Sequence, residues 1–165
     1  MNDTASLART APAFITTAHR IVWATVATVD ATGQPRTRIL HPIWEWDGGE
    51  LTGWIATNPD SPKAAHLAHE PRVSITYWDP MHDVATTDCV AVWENDPQAR
   101  QRGWDRFVNA EEPVGYDPSI VPGWERADSP AFGLLRFEPQ RVRVFPGTML
   151  TSGTGDILDW SSAKR

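Results

Sequence analysis

The sequence predicts a mainly β fold, an antiparallel sheet with short helices that curls into a small barrel. Three observations lead there. Runs rich in Val, Ile, Thr and Trp recur between turn residues. Two of those runs are joined by a tight Asp-Gly-Gly turn at 47–49. Two stretches begin with a capping residue followed by proline, the entry signal of a helix, and they sit between strands as connections.

Taken in order, residues 1–13 are small and polar, contain Pro12, and read as an N-terminal arm or a short first helix. "HRIVWATVATVD" (19–30) reads as a strand, and "DATGQP" (30–35) as a turn in which Gly33 adopts positive φ. "RTRILHPIWEW" (36–46) is the second strand and "ELTGWIAT" (50–57) the third. Ser61 then suits an N-cap, Pro62 the first helical position and Lys63 the first turn. Ala64, Leu67 and Ala68 form a narrow apolar stripe, and Glu70 before Pro71 ends this helix after about two turns.

"RVSITYW" (72–78) and residues 83–95 are the fourth and fifth strands. Asp96 caps a second helix that starts at Pro97 and runs over 97–110. Pro113, Pro118, Pro122 and Pro130 make 111–130 an irregular loop, either a lid or wall over a pocket or a packed connection. Residues 131–145 form the last long strand, bulged at Pro139. Residues 146–165 are a C-terminal tail of turn-like composition. With no repeat or linker, 1–165 reads as a single domain.

Composition narrows the function. A formal charge of -6 and a pI near 5.3 argue against nucleic-acid binding, so any anion site is a local group of cations. The one cysteine, Cys89, excludes an internal disulfide and fits a reducing, cytoplasmic setting. No apolar run approaches the roughly 18 residues of a membrane span, and no signal pattern opens the chain. The nine tryptophans serve either a core or flat surfaces for a partner or planar ligand.

Lys63 poses the sharpest question. A helix N-terminus already carries partial positive charge, so an ammonium in the first turn is electrostatically misplaced. It either points into water or joins the free N–H groups and the Ser61 hydroxyl in gripping a phosphate. The strand at 36–46 offers a second source of cations. Its two-residue period puts Arg36 and Arg38 on one face and Thr37, Ile39 and His41 on the other. If the second set fills the barrel, the arginines stand outside, either solvated or ready for phosphate.

The ordered set of Gly33 and Pro35, Arg38, the 47–49 turn, Thr57, Ser61, Lys63 and "EPRVS" (70–74) resembles the pyridoxamine 5'-phosphate oxidase-like flavin proteins. "WENDPQAR" and "FGLLRFEPQRVRVF" extend the likeness over about residues 15–145. The resemblance implies the FMN-binding split barrel and a homodimer of a flavin-dependent oxidoreductase acting on a small molecule. It places the FMN phosphate on Arg38, Ser61 and Lys63, with Arg36 beside them. The backbone of Arg38, Ile39, Leu40 and His41, with Ala56 and Thr57, would face the flavin ring and ribityl chain; Trp44 and Trp78 are candidates to stack on the ring.

The C-terminal stretch lacks the paired Arg and His of true pyridoxamine phosphate oxidases, which argues against vitamin B6 oxidation. Pro62 stands where many relatives carry a second cation, and Val84 where some present a glutamine. Those departures leave open an F420-dependent reductase of the same fold, or a non-enzymatic flavin- or haem-binding protein. Haem would implicate His41 or His66. His66 and His69 share a helix face, but no carboxylate or cysteine completes a metal set, so no metal site is expected. No catalytic side chain stands out.

Overall fold

The structure is a computed structural model that describes residues 4–162. It opens with a helix, one of the two alternatives read for the N-terminal residues, but one that runs on to Ile21. α1 (Thr4–Ile21) contains Pro12, yet Leu7, Ala11, Phe14 and Ala18 recur at helical spacing and are all buried. Pro12 lies on the solvent side, so the helix absorbs its missing donor while the opposite face packs. Residues 4–13 are therefore helical rather than a loose arm, and residues 19–21, read as strand, are the helix's last turn. Val22, at φ 71°, closes it.

The strands follow as β1 (Ala24–Val29), β2 (Pro35–Leu40), β3 (Ile43–Trp46), β4 (Leu51–Thr57), β5 (Arg72–Trp78), β6 (Val84–Glu94), β7 (Gly133–Phe145) and β8 (Leu158–Ser161). Between them come α2 (Pro62–His69), α3 (Pro97–Asn109), a 3-10 turn at Pro118–Ile120 and the single turn α4 (Thr148–Thr151). All strand pairs are antiparallel, in the order β2-β1-β5-β6-β7-β4-β3, with β8 on the far half of β7. The sheet is curled but not closed. This is the mainly β split-barrel architecture that the strand pattern and the resemblance led one to expect.

The single strand expected over 36–46 is two strands, β2 and β3, at opposite ends of the strand order. Pro42 offers no N–H to a ladder, so pairing breaks at His41–Pro42. β3 pairs with β4 only as far as Ile43 with Trp54. Beyond that point β4 over 55–57 is held by β7 alone, and β2 by β1 alone. The barrel splits there, directly ahead of α2. In the turn before β2, Gly33 takes φ 84° as expected, and Asp30 accepts from the N–H groups of Thr32 and Gln34. The bulge at Pro139 is also found: Cys89 pairs with Pro139 and Asp88 with Arg141, leaving Gln140 extra. The tail adds α4 and β8, neither of which its composition announced.

Two cores flank the sheet. The first joins α1 to β3, β5, β6 and β7, and Trp44, 2% exposed, is central to it. Phe14 meets the Trp44 ring edge-on at 4.9 Å, and the indole N–H donates to the Tyr77 hydroxyl at 2.8 Å. Gly53 is required beneath that ring, since a Cβ there would lie 2.6 Å from it. The second core packs Phe107 of α3 with Val114, Trp124, Phe132 and Leu134 over β3, β4 and β7. Residues 111–130 are thus a packed connection rather than a lid.

Cys89 lies in the first core, with its thiol pushed up to about 12 by burial. The folded protein is therefore expected to resist thiol reagents near neutral pH, whereas the urea-unfolded chain reacts at its one cysteine. Labelling of the native protein at the rate of a free thiol would contradict this packing.

Candidate functional site

The candidate site forms where the split in the sheet meets the start of α2. Arg38 and Lys63 come from separate elements and lie beside one another, both half-buried. Arg38 donates from Nη1 to the Val26 carbonyl at 3.0 Å, which fixes the guanidinium against β1. Lys63 Nζ donates to Ser61 Oγ at 2.6 Å, and Ser61 Oγ donates to the Asn58 carbonyl at 2.7 Å. Burial, and then the neighbouring Arg38, lower the Lys63 pKa; burial lowers that of Arg38.

Neither cation makes an ion pair with a carboxylate among the described residues. Two adjacent, partly desolvated like charges repel, and nothing of opposite sign in the described chain offsets them. Ser61 has the extended backbone of an N-cap, but its side chain caps no helical N–H. The hydroxyl instead couples Lys63 to the preceding turn. A dianion would satisfy the donors that remain: the guanidinium, the ammonium and the Lys63 backbone N–H, since Pro62 has no N–H and Ala64 N–H bonds the Ser61 carbonyl.

The strand faces are the reverse of those expected. Arg38 pairs with Val26, Arg36 with Thr28 and Leu40 with Ala24, and these β1 partners are buried. The arginines therefore lie on the inner, α2-covered side, while Thr37, Ile39 and His41 lie on the outer side. Alternation alone could not decide this, because both faces of the strand mix polar and apolar residues. Of the two arginines, only Arg38 reaches Lys63. Arg36 turns to Asp30 at 3.0 Å and secures the β1–β2 turn.

Ile39 is 59% exposed on the outer face. His41 lies between the rings of Trp23 and Tyr116, each centroid 5.1 Å away. Its Nε2 is closed to solvent and has no hydrogen-bond partner, and burial lowers its pKa. Ala56 and Thr57 are buried in β4 opposite Leu134 and Gly133. With Leu40 and His41 they flank the split, where one edge of each strand is left without a strand partner.

Trp44 is a core residue and not a ring-stacking one, which overturns that candidacy. Trp78 is 57% exposed and Trp23 is 60% exposed, at adjoining ends of β5 and β1 on the outer face. Most of the tryptophan surplus thus goes to packing, and these two residues form, with Ile39, an exposed apolar surface.

The sequence reading missed Thr28, and named His66 only as a candidate haem ligand. Thr28, 2% exposed, shares a hydrogen bond with His66 Nδ1 at 2.9 Å, joining α2 to β1. The signal for His66 was its position three residues after Lys63; nothing local marked Thr28. Among the described residues no group of three or more His, Cys, Asp or Glu could hold a metal ion. No helix among them is long and apolar enough to cross a membrane.

In comparisons with known proteins, the family model for pyridoxamine 5'-phosphate oxidase matches residues 13–145. A search of curated proteins finds no match. Among solved structures, a protein from Clostridium acetobutylicum related to general stress protein 26, of the pyridoxine phosphate oxidase family, is similar with a TM-score of 0.66 at 12% identity, covering 97% of this chain and 96% of that one. A NimC/NimA family protein from the same organism gives a TM-score of 0.70 at 14% identity, covering 96% of each chain. A haem storage protein from Vibrio cholerae gives 0.61 at 21% identity, covering 83% of this chain and 94% of that one.

Proposed function

This chain belongs to the pyridoxamine 5'-phosphate oxidase family, and we propose that it holds FMN and carries out redox chemistry on a small organic substrate. One observation carries the reading: Arg38 and Lys63 lie together, half-buried, with no carboxylate partner among the described residues, at the first turn of a helix. The donor set fits a phosphate monoester. Arg38 and Lys63 would neutralise the dianion, and the Lys63 backbone N–H would add a hydrogen bond, since Pro62 has no N–H, Ala64 N–H bonds the Ser61 carbonyl and the Ser61 hydroxyl donates to Asn58.

The strand edges at the split, from Arg38 to His41 and at Ala56 and Thr57, would orient the ring and ribityl chain. When bound, FMN supplies hydride or electron transfer, and the protein supplies binding, orientation and exclusion of water. Arg36, held by Asp30, is left out of the grip. We also propose a homodimer, for which the exposed outer face at Trp23, Ile39 and Trp78 is the supporting feature.

F420 competes for the same anchor. Haem is less well supported at His41, whose Nε2 is closed to solvent, whereas His66 bonds Thr28 through Nδ1 and keeps Nε2 for a ligand. The test is an absorption spectrum of the freshly purified protein, with mass spectrometry of what denaturation releases and titration of the stripped protein with FMN, F420 and haem. Flavin bands and tightest binding of FMN are expected. Tight F420 or haem binding beside negligible FMN binding would overturn the assignment.

Binding should also depend on pH in two ways. Below about pH 6 the phosphate takes up a proton and becomes a monoanion, so affinity drops in acid. At the alkaline end the bound phosphate favours protonated Lys63, whose pKa in the free protein is lowered by burial and by Arg38. Affinity therefore falls with rising pH, beginning before the ordinary lysine range. Titration of Lys63→Met with FMN should show the acid limb without the alkaline one. An unchanged alkaline limb in that variant would remove Lys63 from the grip.

A further inference from the structure

We infer that Thr28 and His66 are a positioning pair that holds the two cations at the spacing a phosphate needs, with β1 as their shared reference; this rests on the reading of Arg38 and Lys63 given above. Arg38 is tied to β1 at the Val26 carbonyl, and His66 is tied to β1 two residues further on, at Thr28. Two strand residues advance about 6.6 Å. The three helical residues from Lys63 to His66 advance about 4.5 Å and bring both side chains to one helix face. The helix and strand therefore run alongside one another, with Lys63 near Arg38 and His66 near Thr28.

The tether has a physical task. Arg38 and Lys63 repel, and that force acts to swing the start of α2 away from β2. Leu67 is the one buried residue in the helix, so apolar packing alone gives α2 a single anchor. The Thr28 hydroxyl is closed to solvent and pairs with His66, so breaking the tether would strand a buried polar group. One strand with two side-chain hydrogen bonds thus fixes the distance between groups that would otherwise separate. His66 acts through Lys63 and is a positioning residue.

The test compares FMN and riboflavin binding, by fluorescence titration, in the wild type and in Thr28→Val, His66→Ala, His66→Asn and His66→Gln. Asparagine can place a polar atom where His66 Nδ1 lies, and glutamine reaches the Nε2 position instead. Thr28→Val and His66→Ala are expected to lose FMN affinity by about tenfold, the size of a typical hydrogen-bond loss. Riboflavin affinity should be unchanged, and His66→Asn should restore FMN binding where His66→Gln does not. Amide exchange over α2 in the ligand-free variants should quicken in Thr28→Val while β5 and β6 stay protected.

Equal losses for FMN and riboflavin, equal behaviour of Asn and Ala, or unchanged α2 exchange would each overturn the tether. Failure of the wild type to distinguish FMN from riboflavin would overturn the phosphate reading and the tether's role with it. Discrimination by a wild type whose His66→Ala form binds FMN normally would sink the tether alone.

Discussion

Replacing Arg38 or Lys63 by alanine is expected to weaken FMN binding by about 1.5–3 kcal/mol each, roughly ten- to 150-fold. The magnitude is that of a charged hydrogen bond lost from a partly desolvated site. Both side chains are half-buried, and neither has another anion to turn to among the described residues. The two losses should not add, because each cation's cost of confinement comes partly from the other. Removing one relieves the repulsion on the one that remains. A double-mutant cycle read by fluorescence titration should therefore show coupling, with the double variant losing less than the sum. Folding should change little in the ligand-free single variants, since relief of the like-charge contact offsets the hydrogen bond lost to the Val26 carbonyl or to Ser61. Arg36→Ala is the internal control: its guanidinium serves the Asp30 turn, so FMN affinity should hardly move. Unchanged affinity in both Arg38→Ala and Lys63→Ala would remove the anchor.

Trp44→Ala is expected to destabilise the fold by about 3–5 kcal/mol, the range for truncating a large buried aromatic side chain. The ring is 2% exposed, meets Phe14 of α1 and Phe137 of β7, and leaves room for no side chain at position 53. Its N–H also satisfies the Tyr77 hydroxyl, whose own ionisation is strongly disfavoured by burial. Trp44→Phe separates the contributions: it keeps most of the packing and strands the Tyr77 hydroxyl, for a cost of about 1–3 kcal/mol. Urea unfolding should show lower midpoints in that order, with α1 the element whose docking suffers most. A Trp44→Ala protein within about 1 kcal/mol of the wild type would contradict the packing of α1 over this ring.

What the sequence disclosed depended on whether the deciding contact was local. The Ser61-Pro62-Lys63 entry, the Asp96 cap, the Gly33 turn and the Pro139 bulge each follow from the chemistry of one or two neighbouring residues, and each is present. The face of β2 was not local: it is set by which side of β1 is buried, and Val26 and Thr28 settle it across the ladder. α1 was left undecided between an arm and a short helix because Pro12 and a run of Ala and Thr look like a poor helix until Phe14 finds Trp44. In the site, Lys63 stood out by its misplaced charge, whereas Thr28 is an ordinary strand threonine until a histidine 38 residues away meets it. Trp44 and Trp78 were indistinguishable as letters. One fills the core and the other faces solvent.

The most direct measurement is the ratio of FMN to riboflavin affinity for the stripped wild-type protein, since the two ligands differ only in the phosphate. If Arg38, Lys63 and the α2 entry grip that group, FMN should bind at least about a hundredfold more tightly, as two charged hydrogen bonds would give. Equal affinity for the two would mean that these cations face no phosphate, and the account would be wrong at its centre.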